Sequence, residues 1–181
     1  MCSRMVPRSA SFLILLLLTA AAPPEPTGLW TGAMDGAVPA TLTGAVVLPT
    51  AQAAQTFIAA HHALPIDVSA LPKKPPRMAP GMVWLPAAHQ DIPGSVWLPG
   101  AGRAVLQADR ARAYLDAVAR LTSNDPARFV VVYCHPNCWG SWNAAKQLVQ
   151  AGYTHVAWYS PGIEGWAAGD FPLQRTDAVA Y

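Results

Sequence analysis

The sequence predicts a single α/β domain in which a central parallel sheet carries helices on both faces. Short apolar runs of strand length alternate along the chain with stretches of helical periodicity, the order expected of β-α-β units. Residues 129–133 are apolar at every position, as expected for a strand that is buried on both faces of a sheet. No internal repeat is visible in the sequence.

The first half of the domain begins with a short apolar run at residues 45–48. Thr50 can cap a helix that extends to about His61, because a threonine side chain accepts a hydrogen bond from the first helical turn. Residues 64–68 indicate a strand. Pro65 lacks a backbone N–H group, so this strand is expected at a sheet edge or with the proline at its start.

The middle of the chain is irregular. Residues 69–100 are rich in proline and form a long excursion, within which residues 91–98 predict a turn and a short strand. Residues 108–121 predict a helix, because their apolar positions recur at spacings of three and four.

The second half of the domain continues the alternation. After the strand at 129–133 we expect a helix at 142–151, a strand at 155–159 and a short helix at 163–168. These elements complete the predicted sheet and its covering layers.

The N-terminus is typical of a secretory signal peptide. Arg4 and Arg8 precede an apolar run at 12–18, and small residues follow it. That run is well short of the ~20 residues that cross a bilayer, so cleavage near Ala22 is expected rather than a membrane anchor. We therefore predict a periplasmic protein without membrane attachment after cleavage. Its predicted segments are a signal peptide (1–22), a Pro/Gly/Ala-rich leader (23–41), the domain (42–176) and a short tail (177–181).

The numbers of acidic and basic residues argue against one class of function, nucleic-acid binding. The chain has 12 Lys and Arg against 10 Asp and Glu, and loss of Arg4 and Arg8 with the signal peptide leaves ten of each. A neutral mature chain has no basic stripe of the kind that binds nucleic acid. We therefore expect no nucleic-acid partner.

Two cysteines remain after cleavage, Cys134 and Cys138, and they indicate a chemical site. In an oxidising compartment such a pair forms either a local disulfide or a redox and sulfur site, and it closes too short a loop to stabilise much chain. Cys134 follows the central strand, where α/β sheets bind ligands. Backbone N–H groups of the following loop and helix are expected to lower its pKa and make it the more reactive thiol.

The neighbouring residues leave several roles open. His135 either stabilises a thiolate or points into solvent, and Trp139 and Trp142 either wall the site, dock a partner or pack against the helix. The spacing lets Cys138 attack a persulfide on Cys134, which would close a disulfide and release sulfide. The pair can equally cycle between dithiol and disulfide.

The sequence resembles a rhodanese-like domain over roughly residues 43–175. The residues that carry the resemblance are 66–68, 89–94, 130–134, Ser141, 144–145, 148–153, Val156, 161–166 and 171–173. With Tyr133, the Cys138–Trp139 pair and residues 143–146, the chain further resembles the secreted PQQ-dependent catabolism-associated CXXCW motif group.

The resemblance implies that Cys134 accepts sulfur as a persulfide, as in a sulfurtransferase. Cys138 is an addition to the family pattern, and its spacing predicts a second catalytic cysteine, either for sulfur transfer or for thiol–disulfide exchange. The resemblance also implies a substrate-binding loop made of His135, Asn137, Trp139, Gly140 and Ser141, with Asp67 holding that loop by hydrogen bonds. The implied partners are a sulfane-sulfur donor or a thiol, and a periplasmic quinoprotein dehydrogenase of PQQ-dependent alcohol oxidation. No cofactor and no resident metal are expected.

The chain departs from the family in its charges. Ser69 stands where the family has an arginine after the Asp-Val pair, and residues 134–141 contain neither Arg nor Lys. A dianion such as thiosulfate would then depend on backbone N–H groups alone, so efficient thiosulfate turnover is not expected.

Two other functions remain as alternatives. The first is Cu(I) handling by Cys134 and Cys138, since soft thiolates select Cu(I), with a third ligand from His61, His62, His89 or His155. The second is a non-catalytic binding module that contacts a dehydrogenase through the proline-rich 69–100 excursion.

Overall fold

The computed structural model describes residues 21–79, 81–103 and 108–181. The predicted signal peptide lies almost wholly outside the described residues. Within them, no helix combines the length and the apolar character that crossing a membrane requires.

A five-stranded parallel sheet forms the centre of the domain, as predicted. The strands of the protein are β1 (Val46–Leu48), β2 (Leu64–Asp67), β3 (Gln90–Asp91), β4 (Val96–Trp97), β5 (Val130–Tyr133), β6 (Val156–Tyr159) and β7 (Gln174–Arg175). The central sheet has the order β1-β6-β5-β2-β4, and a separate antiparallel pair joins β3 and β7.

Helices cover both faces of this sheet, which confirms the predicted architecture. They are α1 (Ala51–His61), α2 (Ala108–Leu121), α3 (Trp139–Gln150) and α4 (Gly162–Ala168). One buried apolar cluster contains side chains of α2 and α3, and a second contains side chains of α1 and α4. Successive residues of β5 alternate between the two clusters, since neighbouring strand residues point to opposite faces.

Strand β5 lies in the middle of the sheet between β6 and β2. Its four residues are fully buried, which explains why the sequence is apolar at each of these positions. The carboxyl end of β5 therefore opens at the centre of one sheet edge, and Cys134 follows directly.

Pro65 does lie near the start of its strand, but β2 is an internal strand. It pairs with β5 along its whole length and with β4 only at Ile66 and Asp67. Because β4 is so short, no neighbour on that side requires a hydrogen bond from Pro65. The proline is accommodated by the length of the adjacent strand.

Helix α1 begins at the residue that the sequence predicts, whereas helix α3 does not. Helix α1 begins as predicted, with the Thr50 hydroxyl accepting a 3.1 Å hydrogen bond from the Ala53 N–H group. Helix α3 begins three residues earlier than the predicted Trp142. Cys138 is consequently the N-cap residue of α3, a position that determines its chemistry.

Candidate functional site

The two cysteines lie side by side at the carboxyl end of β5. Cys134 directly follows the strand and Cys138 is the N-cap residue of α3, so a short loop joins the two cysteines. Their Sγ atoms are 2.6 Å apart, and both residues are free cysteines and buried. The two sulfurs are thus close enough to exchange a proton or form a bond with little movement of the backbone.

Cys138 is the more acidic thiol of the pair. The hydrogen bond with Cys134 lowers the pKa of Cys138 to about 6, against the effect of its burial. Backbone N–H groups of Ser141 and Gly140 and the nearby ring of His135 lower it further. The N–H groups at a helix start favour a negative charge, so the N-cap position makes Cys138 the thiolate.

Cys134 has the opposite character. Its hydrogen bond to Cys138 and its burial raise the pKa of the Cys134 thiol well above its ordinary value. Two sulfurs in contact share one proton, and it stays on the sulfur that lies farther from the helix start. The sequence predicted the lowered pKa at Cys134, whereas the backbone N–H groups at the start of α3 lie against Cys138 and lower the pKa of that thiol instead.

A cavity of about 110 Å³ opens onto the sulfur pair. This is space for several water molecules, so the cavity admits a small anion. Besides the cysteines, its lining includes Met34, Asp35, Val68, Arg103, His135 and Gly140.

Arg103 lines the cavity and is a candidate functional residue that the sequence did not indicate. It supplies a cation to the cavity although residues 134–141 contain none. It reaches the site from the chain that follows β4, a neighbour of β2 in the sheet. Parallel strands end at the same sheet edge, and a basic residue shortly after a predicted strand was the signal that could have indicated it.

Gly102 and Gly140 allow the segment that carries Arg103 to lie close to the loop between Cys134 and Cys138. A Cβ atom at Gly102 would overlap the Gly140 carbonyl group, and one at Gly140 would press on the Cys138 sulfur at 3.2 Å. The two backbones therefore meet where only glycine fits at position 102, and a side chain at position 140 would crowd the Cys138 sulfur.

The other predicted loop residues occupy distinct places. His135 and Gly140 line the cavity, whereas Trp139 is buried and stacks on Trp30, with ring centroids 4.3 Å apart. Asn137 has φ 57° and its carbonyl accepts a hydrogen bond from Gly36. Ser141 donates to the Cys138 carbonyl at 3.1 Å. Trp139, Asn137 and Ser141 hold the loop by packing and hydrogen bonding, and His135 and Gly140 contact the cavity.

Asp67 lies at the end of β2 and holds Ser69 rather than the 134–141 loop. Its Oδ1 accepts hydrogen bonds from the Ser69 N–H at 2.7 Å and from the Ser69 hydroxyl at 2.6 Å. The Ser69 Oγ in turn lies 3.6 Å from the Cys134 Sγ. Asp67 thus reaches the cysteines through one hydroxyl.

A second charged cluster adjoins Asp67. His89 Nε2 lies 2.6 Å from Asp67 Oδ2 and 3.2 Å from Asp91 Oδ1, and its ring stacks on Trp97. Burial disfavours the imidazolium, but the two carboxylates outweigh it and raise the pKa of His89 to about 9. Burial and the neighbouring Asp91 raise the pKa of Asp67 in spite of the His89 hydrogen bond. The site therefore keeps an imidazolium beside two buried carboxyl groups.

Two groups of side chains are spaced closely enough to hold a metal ion. In each group, Cys134/His135/Cys138 and Asp67/His89/Asp91, the ligand atoms lie within 4.8 Å of one another. In the cysteine group the third possible ligand is His135, which was not among the histidines that the sequence suggested for copper. His61 and His155 both stack on Phe129, at the other end of β5, and His89 binds carboxylates.

The fold and the site define a rhodanese-like domain that carries a cysteine pair. The sequence matches the rhodanese-like domain family over residues 52–169, and the chain belongs to that family. No protein among those with curated functions matches the chain.

Two solved structures are similar to the chain. A thiosulfate sulfurtransferase from Pseudomonas aeruginosa is 22% identical with a TM-score of 0.47, over 75% of this chain and 22% of that one. The BH2092 protein from Bacillus halodurans is 20% identical with a TM-score of 0.44, over 72% and 76% of the two chains. The present chain thus spans about a fifth of the length of the Pseudomonas protein.

Proposed function

We propose that the chain accepts sulfane sulfur on its cysteine pair and releases it as sulfide, closing a Cys134–Cys138 disulfide. The observation that carries this proposal is the 2.6 Å contact between two free sulfurs whose pKa values shift in opposite directions. One sulfur is a ready nucleophile at neutral pH, and the other is a protonated thiol in position to react second.

The first step forms a persulfide. The Cys138 thiolate attacks the outer sulfur of a donor such as thiosulfate, the S–S bond of the donor breaks, and sulfite leaves with the electron pair. The charge of the donor is carried away by sulfite, and the protein retains an anionic persulfide. This order moves the persulfide from Cys134, where the family resemblance puts it, to the sulfur at the start of α3.

The second step resolves the persulfide. Cys134 loses its proton and attacks the Sγ atom of Cys138, and the outer sulfur leaves and takes up a proton as hydrosulfide. The two cysteines are oxidised to a disulfide, and the transferred sulfur is reduced. A thiol partner, either a small thiol or a protein dithiol, must then reduce the disulfide and become oxidised itself.

Arg103 supports an anionic donor. A guanidinium group binds the oxygens of sulfonate-like groups through paired N–H donors. Among the described residues that line the cavity, Arg103 is the one fixed cation. It therefore supplies the positive charge that the 134–141 loop lacks. The absence of Arg and Lys from residues 134–141 is therefore no argument for a non-catalytic binding module.

Export and the metabolic setting are further parts of the proposal. The basic start and short apolar run support signal cleavage near Ala22 and a periplasmic location. The resemblance to the CXXCW motif group supports a role beside PQQ-dependent alcohol oxidation, with a quinoprotein dehydrogenase as partner. N-terminal sequencing of periplasmic protein tests the first point, and recovery of an intact Met1 on membranes would contradict it.

Intact-mass spectrometry of the reduced protein tests the chemistry. Wild type treated with thiosulfate or polysulfide should release sulfide and lose two hydrogens as the disulfide forms. Cys134→Ser should instead stop as a persulfide, and Cys138→Ser should take up sulfur far more slowly. Release of sulfide at the wild-type rate from either variant would contradict the proposal.

A second candidate is Cu(I) binding, favoured by the Cys134/His135/Cys138 cluster. Two sulfurs and an imidazole suit a soft monovalent ion. Titration with a competing Cu(I) chelator tests it, with His135→Ala as the variant. Binding with a stoichiometry of one that weakens in His135→Ala would support this candidate, and no competition with the chelator would exclude it.

A further inference from the structure

The resolving step of the proposed function needs a group that removes the proton of the Cys134 thiol. Cys134 is 2% exposed and its thiol holds its proton, yet the resolving step requires that proton to leave. Once Cys138 carries sulfur, it no longer offers Cys134 a thiolate to bond. A base within reach of a buried sulfur is therefore needed.

Ser69 provides the connection to such a base. Its Oγ lies 3.6 Å from Cys134 Sγ and 2.6 Å from Asp67 Oδ1. The Ser69 hydroxyl is within donating distance of both the Cys134 sulfur and the Asp67 carboxylate. It has one proton and two lone pairs, so when it donates that proton to the carboxylate it can accept the proton of the thiol. The position is fixed independently of this hydroxyl, since the Ser69 carbonyl accepts from Trp97 and its N–H donates to Asp67.

Asp67 continues the chain of hydrogen bonds towards solvent. It is fully buried and bonded to His89, whose side chain is 20% exposed. Its raised pKa suits a carboxylate that takes up a proton transiently. The chain thus runs from a buried thiol to a histidine ring that touches water.

We propose that Ser69, Asp67 and His89 form a proton path that deprotonates Cys134, with Ser69 as the positioning residue. The Cys134 proton passes to the Ser69 oxygen while the Ser69 proton passes to Asp67, giving a thiolate and a neutral carboxyl group. His89 then releases one proton to water and takes up the proton on Asp67, which restores the imidazolium and the carboxylate, so that the net change is the transfer of the Cys134 proton to water. This proposal rests on the proposed function for its role in turnover.

Other charged groups near Cys134 also influence the pH dependence of its reactivity. They come from every part of the chain that surrounds the cavity, and they are Asp35, Arg103, His135, Cys138 and, through Ser69, Asp67. None of these except Asp67 contacts the Ser69 hydroxyl, so replacing Ser69 changes only one link.

The test uses the alkylation of Cys134 in a Cys138→Ala background, which does not depend on sulfur transfer. Ser69→Ala should move the pH at which Cys134 reacts half-maximally upward by about one unit, which is about a tenfold slower reaction below that pH. Ser69→Thr keeps the hydroxyl and should restore the profile. Equal profiles for all three proteins, or a loss in Ser69→Thr as large as in Ser69→Ala, would overturn the proposal.

Single-turnover kinetics with both cysteines present give the second readout. Ser69→Ala should slow sulfide release at least about tenfold while persulfide formation on Cys138 keeps its wild-type rate. Equal slowing of both steps would indicate a general structural defect and overturn the proposal. If wild type forms no persulfide, the proposed function fails, and the alkylation profile still decides the role of Ser69.

Discussion

Trp30 stacks on Trp139, with ring centroids 4.3 Å apart and planes inclined by 14°. The contact joins the segment before the first strand to the first residue of α3. The Trp30 N–H and carbonyl groups also bond the Asn143 side chain, at 2.8 and 2.9 Å. Asp35 pairs with Cys138 in an antiparallel bridge, so this segment forms one wall of the sulfur site. The sequence suggested only a leader between signal peptide and domain.

Replacing Trp30 with alanine should therefore loosen the start of α3. We expect a loss of about 1–2 kcal/mol in the free energy of unfolding, from lost burial and stacking. Faster alkylation of Cys138 should accompany it, because the wall over the thiolate opens. Urea denaturation and thiol labelling measure the two effects, and Leu85→Ala, at a side chain 83% exposed, is the matched control. Unchanged labelling in Trp30→Ala would show that the segment does not cover the site.

Cys138 should react before Cys134 with iodoacetamide. Its thiolate is stabilised at the start of α3, and its pKa of about 6 predicts half-maximal reactivity near that pH. Peptide mapping after brief labelling at graded pH distinguishes the two sites. Labelling of Cys134 at the lower pH would reverse the assignment and return the nucleophile to the position that the sequence first suggested.

Arg103 should govern the use of anionic donors. Arg103→Ala is expected to raise the half-saturating thiosulfate concentration about tenfold or more, since a charge-assisted hydrogen bond contributes roughly 1.5–3 kcal/mol. The rate with a neutral organic trisulfide should change little. Lys74→Ala, at an exposed position outside the cavity lining, is the control. Equal losses with both donors would mean that Arg103 shapes the cavity and does not recognise charge.

His89 should make the stability of the fold depend on pH. Its pKa rises from 6.5 to about 9 on folding, because Asp67 and Asp91 outweigh the effect of burial. The imidazolium therefore stabilises the fold fully below pH 6.5, and this contribution is lost as pH rises to about 9. The difference in unfolding free energy between wild type and His89→Gln should shrink over that range.

An NMR titration checks the same point directly. The His89 ring should titrate near pH 9 in wild type and at lower pH in Asp67→Asn, which removes one of the two carboxylates. A His89 midpoint that does not move in Asp67→Asn would show that the ion pair does not control the ring.

Much of the fold was predictable because it depends on local sequence. The apolar run of β5 implies a strand buried on both faces, and the Thr50 cap and the periodicity of α2 fix helix starts within a residue or so. Cys134 was placed correctly for the same reason, since the end of a central strand can be recognised from the strand itself.

The reactive state of the cysteines could not be predicted in this way. It depends on where α3 begins, and residues 139–141 carry no strong start signal, since Cys138 makes no side-chain capping bond. Tertiary contacts supply that start: the Trp139 N–H group donates to the Met34 carbonyl at 2.8 Å and its ring packs on Trp30. A contact across about a hundred residues of sequence thus decides which sulfur is the thiolate.

The sequence by itself determined the class of fold, the strand that carries the site and the two sulfur atoms that lie in it. Only the tertiary structure brought Arg103, Ser69 and the segment around Trp30 to those sulfurs, each from a different part of the chain. The physical reason is that hydrophobic periodicity is a pattern of residues close together in the sequence, so the sequence alone shows it. Electrostatic and hydrogen-bonding partners are set instead by which strand ends and loops meet at one sheet edge.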